Sequence, residues 1–389
     1  MNKIYLDHNA TTPVNPEVME EMLPYFGKEY GNASSLHSFG RYAREAVENA
    51  RQEVARLIGP VEAVDIVFTS GGTESDNFAI KGAAYALKDK GRHIITGRTE
   101  HHAVLNACEF LAKNGYEITY VSVDEHGLLN IDELKKAIRP DTILISIMFA
   151  NNEVGTIGPV KEIAAIAHGK GILFHTDAVQ ALGKLPIDAE ETGIDLLSVS
   201  AHKIYGPKGI GAIYISKKAK ITPFMHGGHH ERNRRAGTEN VPGIVGFGKA
   251  CQLAGKYMEK ENKRLLELRD RLWTGISKNI EDVKMNGHPA KRLSNTLNVS
   301  FKYVEGESVL LNLDLKGIAA SSGSACTSGS LEPSHVLSAM GVEPATAQGS
   351  VRFSLGSQNT EAEIDRVIKE LPPIIKKLRD MSPLYDNRR

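Results

Sequence analysis

Cysteine is scarce in this sequence of 389 residues: Cys108, Cys251 and Cys326 are the three, too few and too scattered for a disulfide framework. Neither sign of charge is in excess, since 47 Lys and Arg residues meet 47 Asp and Glu residues. That balance removes any global field that would draw the chain to nucleic acid or to a membrane surface. Long hydrophobic runs are missing too. The opening "MNKIYLDHNATTP" has no apolar core fit for a signal peptide, and no later run could span a bilayer. Repeats, low-complexity tracts and obvious linkers do not occur. The expectation is a reduced, cytoplasmic protein without nucleic-acid or membrane partners.

What is present is an alternation. Short apolar, β-rich runs recur from about residue 60 to residue 216: "DIVFTS", "HIITG", "ITYVSV" (118–123), "TILISIMFA" (142–150), "GILFHTDA", "IDLLSVSAHK" and "GAIYIS". Several are continuously apolar, as suits strands buried on both faces under helices. Helical patterns such as "ESDNFAIKGAAYALKDKG" and "PVKEIAAIAHGKG" lie between them, each closed by a glycine where a C-cap would stand. The pattern predicts an α/β fold with a mostly parallel sheet sandwiched by helices. Composition shifts near residue 255, where a long charged helix begins. Strand-like "NTLNVSF" and "SVRFSL" and a closing helix follow, an α+β pattern expected of a second, smaller domain.

In open α/β sheets ligands sit at the carboxyl ends of the strands, and here those ends are polar. "GILFHTDA" ends in Asp177, with Gln180 three residues on; "LLSVSAHK" ends in Ser200, His202 and Lys203. A lysine desolvated near positive charge can offer a neutral amine for a Schiff base. A carboxylate on a neighbouring strand could keep a pyridine nitrogen protonated, so the pair is what pyridoxal phosphate needs. "FTSGGTESDN" follows a strand and opens a helix, and its Gly71, Gly72 and Thr73 could cradle a phosphate on helix N-terminal amides. A plain helix cap is the competing reading of that segment.

"TEHHAVLNACEFL" puts His101 and His102 at a helix start, where an imidazole could stack on a cofactor ring and move protons. Metal binding by these residues, or by His226, His229 and His230, is the alternative, although neither cluster has a recognised ligand spacing. Cys108 and Cys251 lie on apolar helical stripes and read as core. Arg352 in "QGSVRFSL" is either a surface strand residue or the bidentate partner of a substrate carboxylate. Cys326 is different: it sits in "SSGSACTSGS", among small residues that give a backbone few steric limits, and not in the apolar run where a structural thiol usually packs.

Taken together, "SAHKIYGPKGIGA", "HTDAVQALGKLPID", "TSGGTESDN", "TEHHAVL", "ANNEVG", "RRAGTEN" and "ASSGSACTSGSLEPSHVL" resemble, in order and spacing, the NifS/IscS-type cysteine desulfurases. These are fold-type I pyridoxal-phosphate enzymes of the class V aminotransferase group. The resemblance runs from "YLDHNATTP" to "RDMSPL". It lies closer to the NifS branch in "GGHHERNRRAGTENVPGIVG", and in closing soon after "RDMSPLYDNRR" without the longer IscS-type tail. It implies a large cofactor-binding domain over 16–255 and a small domain of 1–15 plus 256–389 that carries the Cys326 loop.

For the site, the resemblance implies pyridoxal 5'-phosphate joined to Lys203, with Asp177 at its ring nitrogen and Gln180 and Asn152 near its phenolic oxygen. It implies His101 stacked on the ring as an acid–base group, and Gly72, Thr73, Ser200 and His202 at the phosphate, with Thr238 reaching in from the second subunit of a homodimer. Asn152 and Arg352 would bind the substrate, and Cys326 would be the nucleophile that becomes a persulfide. No resident metal is expected, Cys326 being at most a transient iron–sulfur ligand. The implied reaction converts L-cysteine to L-alanine and passes the sulfur to an iron–sulfur scaffold protein, of the nitrogenase type by branch. One departure is Gln348, where a histidine is expected near the site's edge. Rival readings are a selenocysteine lyase, an aminotransferase, or a non-catalytic sulfur carrier keeping the fold.

Overall fold

The computed structural model describes residues 3–322 and 333–386. The strands among the described residues are β1 to β12 in chain order. β1 (Ile4–Tyr5) precedes the main set: β2 (Ile66–Thr69), β3 (His93–Gly97), β4 (Glu117–Val121), β5 (Thr142–Ser146), β6 (Leu173–Asp177), β7 (Leu196–Ser200) and β8 (Gly211–Ile215). These seven form one sheet in the order β2-β8-β7-β6-β5-β3-β4. β8 is antiparallel to both neighbours, and every other pairing is parallel. This is the α/β architecture the alternation predicts. The continuously apolar runs explain it, because β2, β3, β5, β7 and β8 are buried along their whole length.

Two runs end earlier than expected. The 118–123 run leaves the sheet at Val121, and the 142–150 run leaves it at Ser146. Beyond Ser146 the chain still bonds to β6, with Ile147 N–H to the His175 carbonyl at 3.1 Å and Phe149 N–H to the Asp177 carbonyl at 2.9 Å. Leaving the ladder there places Met148 and Ala150 on the rim of the sheet's carboxyl end.

The remaining strands are β9 (Val283–Asn286), β10 (Thr296–Phe301), β11 (Ile318–Ala319) and β12 (Ser350–Ser354). β12, β10 and β9 make an antiparallel sheet, and β1 pairs in parallel with β11. The helix Val241–Asn279 runs unbroken through residue 255, where the composition changes. Its first part, up to Leu253, packs into the core of the large sheet. Leu265, Leu268, Leu272 and Ile276 pack instead into the core around Leu297, Phe301 and Phe353. The shift in composition therefore marks a change of core partner along one rigid rod. Near its start the rod lies close against the helix Ser38–Leu57, since a side chain at Gly248 would put its Cβ 2.6 Å from Ala50 Cα.

A candidate active site at the sheet's carboxyl edge

Parallel strands deliver their carboxyl ends to one edge, and the loops leaving β2, β5, β6 and β7 meet there around a cleft of about 420 Å³. β6 brings Asp177 to this edge. β7 ends at Ser200 and tightens into a single turn, Ala201–Lys203, that turns Lys203 into the cleft. β2 runs into Gly71, whose φ of +152° suits glycine, and then into the helix Gly72–Ala86. The approach here is close: a Cβ on Gly211 of β8 would come within 2.7 Å of Gly71 Cα, and one on Gly72 within 2.8 Å of Val179 Cγ2. Only hydrogens at these positions let the first helical amides, which have no intrahelical acceptor, face the cleft beside the Thr73 and Ser200 hydroxyls.

Lys203 Nζ donates to the main-chain carbonyls of Asn9 at 2.6 Å and Ala10 at 2.7 Å. Gln180 Nε2 donates to the same Asn9 carbonyl at 3.0 Å. Asn9 is itself held across the fold, its Nδ2 donating to the Asn152 carbonyl at 3.1 Å and to Thr296 Oγ1 at 2.9 Å. Arg352 is 2% exposed, so the surface reading of this residue is excluded. Its guanidinium donates to the Asn152 carbonyl at 3.0 Å and to Asp7 Oδ1 at 2.8 Å, while its Nε meets no partner among the described residues.

Burial sets the electrostatics. It raises the Asp177 carboxyl, against the opposing pull of His101, the Val179 N–H bonded to Oδ1 at 2.9 Å, and Lys203. Asp76, one helical turn beyond Gly72, is driven well above the carboxylate range by burial and then by the charge of Asp177. The two acids therefore favour one negative charge between them over two. Asp76 Oδ1 has no hydrogen-bond partner among the described residues, and the nearest basic nitrogen, His175 Nε2, is 3.6 Å away. His175 is pushed down to about 3 by burial, and its two nitrogens are spanned by the hydroxyls of Ser146 at 2.8 Å and Ser198 at 3.0 Å.

His101 caps the helix His102–Ala112, its Nδ1 accepting the Ala103 N–H at 3.1 Å. With Nδ1 so used, the neutral ring carries its proton on Nε2, and burial, the largest influence, lowers its pKa. His202 falls to about 4, through burial first and then the charges of Lys203 and Lys208.

The cleft collects Gly72, Thr73, His101, Asn152 and Asp177, and with them Gln180, Ser200, His202, Lys203 and Arg352. Thr238 is exposed and stands outside this lining. Cys326 lies outside the described residues. Gln348, the departure noted at the site's edge, is exposed and outside the lining as well. Cys108 and Cys251 are buried, and burial pushes the Cys108 thiol up to about 12. Among the described residues no group of three His, Cys, Asp or Glu side chains is arranged to hold a metal ion.

Sequence reasoning passed over Asn9, Asp76, Glu153 and His335, which also line the cleft. Asp76 was within reach, since it follows Gly72 by four residues and shares its helix face. His335 donates from Nε2 to the Glu100 carbonyl at 2.9 Å, and Ser334 bonds to Glu153 Oε2 at 2.5 Å. Those contacts join segments some 180 residues or more apart, and no local spacing announces them.

A pyridoxal phosphate suits this donor set. Amides and hydroxyls at a helix start suit a phosphate, a buried carboxyl suits a ring nitrogen, and an amine stands at the same mouth. Asp76 Oδ1 and Arg352 Nε, without partners among the described residues, mark polar capacity that a cofactor or substrate could use.

Comparison with known proteins agrees with this chemistry. The class-V aminotransferase family model matches residues 4–367. The chain is 57% identical over 381 residues to the cysteine desulfurase IscS of Methanosarcina thermophila, covering 98% of this chain and 94% of that protein. It is 56% identical to the cysteine desulfurase IscS of Dictyoglomus turgidum, covering 98% and 96%. Among solved structures, a NifS-like protein superimposes with a TM-score of 0.91 at 40% identity, over 97% of this chain and 100% of that one. A structure described as SspA in complex with cysteine gives a TM-score of 0.80 at 37% identity, over 91% and 99%.

Proposed function

The chain belongs to the class-V aminotransferase family, within its cysteine desulfurases, and from that premise we propose that it uses pyridoxal phosphate to convert L-cysteine to L-alanine while storing the sulfur as a persulfide on Cys326. The observation that carries this reading is the meeting of Lys203, Asp177 and Arg352 at one cleft, in a chain alike from end to end to proteins named for that activity. The bound cofactor supplies the electron sink for a carbanion at the substrate's Cα.

The protein's part follows from its groups. The helix start at Gly72 and Thr73, with Ser200 and His202, would hold the phosphate, and Asp177 would hold the ring nitrogen. Asn152 and Gln180 would stand by the ring oxygen, and Arg352 would hold the substrate carboxylate. Lys203 Nζ takes the proton from Cα and returns one to the product. His101, neutral and carrying its proton on Nε2 because Nδ1 accepts the Ala103 N–H, would stack on the ring and donate a hydrogen bond within the cleft. The Cys326 thiolate attacks the substrate's sulfur: an S–S bond forms and the Cβ–S bond breaks. The departing electron pair stays on Cβ and takes a proton to become the methyl group of alanine. Sulfur is oxidised, carbon is reduced, and no external oxidant is needed.

Thr238 is read as acting across a homodimer, in keeping with its exposure outside its own cleft. A reducing, cytoplasmic setting goes with a thiolate nucleophile. No helix among the described residues is long and apolar enough to cross a membrane. The sulfur acceptor is an iron–sulfur scaffold protein, with nitrogenase-type delivery as the finer proposal. The relatives cited are titled IscS and the solved structure NifS-like, so names alone do not choose the branch. Labelled sulfur followed from the persulfide to candidate scaffold proteins decides it.

The direct test is Cys326→Ser, supplied with L-cysteine and a thiol reductant. Sulfide release is expected to fall to background while the yellow cofactor absorbance is retained. Release at the wild-type rate would end the persulfide reading.

A further inference from the structure

Lys184 has no place in the roles described so far. It stands four residues after Gln180, and its Nζ donates to Gln180 Oε1 at 2.8 Å. Across the same amide, Gln180 Nε2 donates to the Asn9 carbonyl, which also accepts from Lys203 Nζ at 2.6 Å. A main-chain carbonyl only accepts, so the Asn9 contact requires Gln180 to present Nε2 to Asn9 and Oε1 to Lys184, to which an ammonium or a neutral amine can donate. Gln180 is 4% exposed. Removing Lys184 leaves its oxygen buried without that donor, and rotating the amide only moves the defect to Asn9.

The surroundings reinforce the link. Lys184 and Lys203 both line a second cavity, of about 210 Å³, behind the cleft. His8, Tyr205, Tyr257 and Glu261 face it as well, and Glu261 is already ion-paired to Arg264 at 2.9 Å. Lys203 and Arg352 press on Lys184 from the cleft side as like charges, and the charge of Lys184 reaches His202 and His8. Burial first, and then those two cations, bring Lys184 down to about 7.

We propose that Lys184 is a positioning residue of the active site, holding the Gln180 amide so that its second Nε2 proton stays available as a donor to the cleft. The inference rests on the reading of this cleft as a pyridoxal-phosphate site. Gln180 carries the effect, and Lys184 itself touches neither cofactor nor substrate.

The test is a pH titration of the holoenzyme's visible absorbance in the wild type, Lys184→Met, Gln180→Leu and the double variant. Lys184→Met is expected to move the midpoint upward by about one pH unit, because a donor and a cation that oppose protonation in the cleft are both lost. In the Gln180→Leu background the same replacement should move it by less than half as much. No shift in Lys184→Met, or an equal shift in both backgrounds, overturns the proposal. Lys184→Gln, judged by the same criteria, replaces any Lys184→Met protein that does not fold. A wild-type holoenzyme with no visible band would instead overturn the cofactor reading, so the two failures are told apart.

Discussion

At the scale of single residues, the site is governed by groups whose charge burial suppresses, and this has a measurable signature. His175 titrates at about 3 in the folded protein against 6.5 when exposed. The unfolded chain then binds the extra proton between those values, so this residue's contribution to stability is intact above pH 6.5 and is lost as pH falls toward 3. Glu100 has the opposite sign. Burial raises it well above 4.5, and its Oε2 has no partner among the described residues. The folded protein holds that proton longer, so its contribution is lost as pH rises from 4.5. Denaturant unfolding of His175→Gln and Glu100→Gln at several pH values checks both signs. Between pH 6.5 and 5 the wild type should lose about 2 kcal/mol relative to His175→Gln, at roughly 1.4 kcal/mol per pH unit. Glu100→Gln should gain on the wild type as pH rises from 5 to 7.

At the scale of elements, the sheet's edge depends on how closely β8 passes the turn before helix 72–86. The Gly211 position allows no side chain, because an added Cβ would sit 2.6 Å from the Val199 carbonyl oxygen as well as 2.7 Å from Gly71 Cα. Both are backbone atoms and cannot swing aside. Gly211→Ala should push the Gly71 turn from its place and weaken binding of pyridoxal phosphate about tenfold or more. Overpacking of this kind typically costs about 1–3 kcal/mol, and about 1.4 kcal/mol is a tenfold change in affinity. Equilibrium titration of the apoprotein with cofactor, followed by absorbance, measures it; unchanged affinity would mean that the turn relaxes without disturbing the cradle.

These elements were legible for a local reason. Polar residues at the end of an apolar run point to a strand end that faces something, and Asp177, Ser200 and Lys203 all announce themselves in this way. Asn9 does not. Its importance lies in bonds to Asn152 and Thr296, which are distant in the chain, and a short polar side chain in a loop gives no sign of such partners. The long helix shows the same limit. The change of composition at 255 is readable in the sequence, but only the packing shows that the rod continues unbroken while it passes from one core to another.

At the scale of the whole molecule, the proposed dimer makes Thr238 part of the other chain's site. Large apolar side chains stand exposed near the N-terminus, among them Phe26 at 64%, Tyr30 at 68% and Leu36 at 84%, as a second copy would require. Mixing Lys203→Ala with Thr238→Ala chains tests the arrangement. Each heterodimer would keep one site with Lys203 from one chain and Thr238 from the other, so activity should rise above that of either parent. No recovery in purified heterodimers would place Thr238 in its own chain's site.

The sequence by itself determined the layers of this protein and the chemical character of its site. Burial patterns and reactive residue types are local properties, and local patterns are enough to read them. Only the tertiary structure decided which partners those residues have. Arg352 is a buried group at the cleft because Asp7 and Asn152 reach it from remote parts of the chain, and Lys184 is linked to Lys203 only through Gln180 and Asn9. Hydrogen bonds and desolvation act over a few ångströms of space, and the order of residues along the chain does not specify those distances.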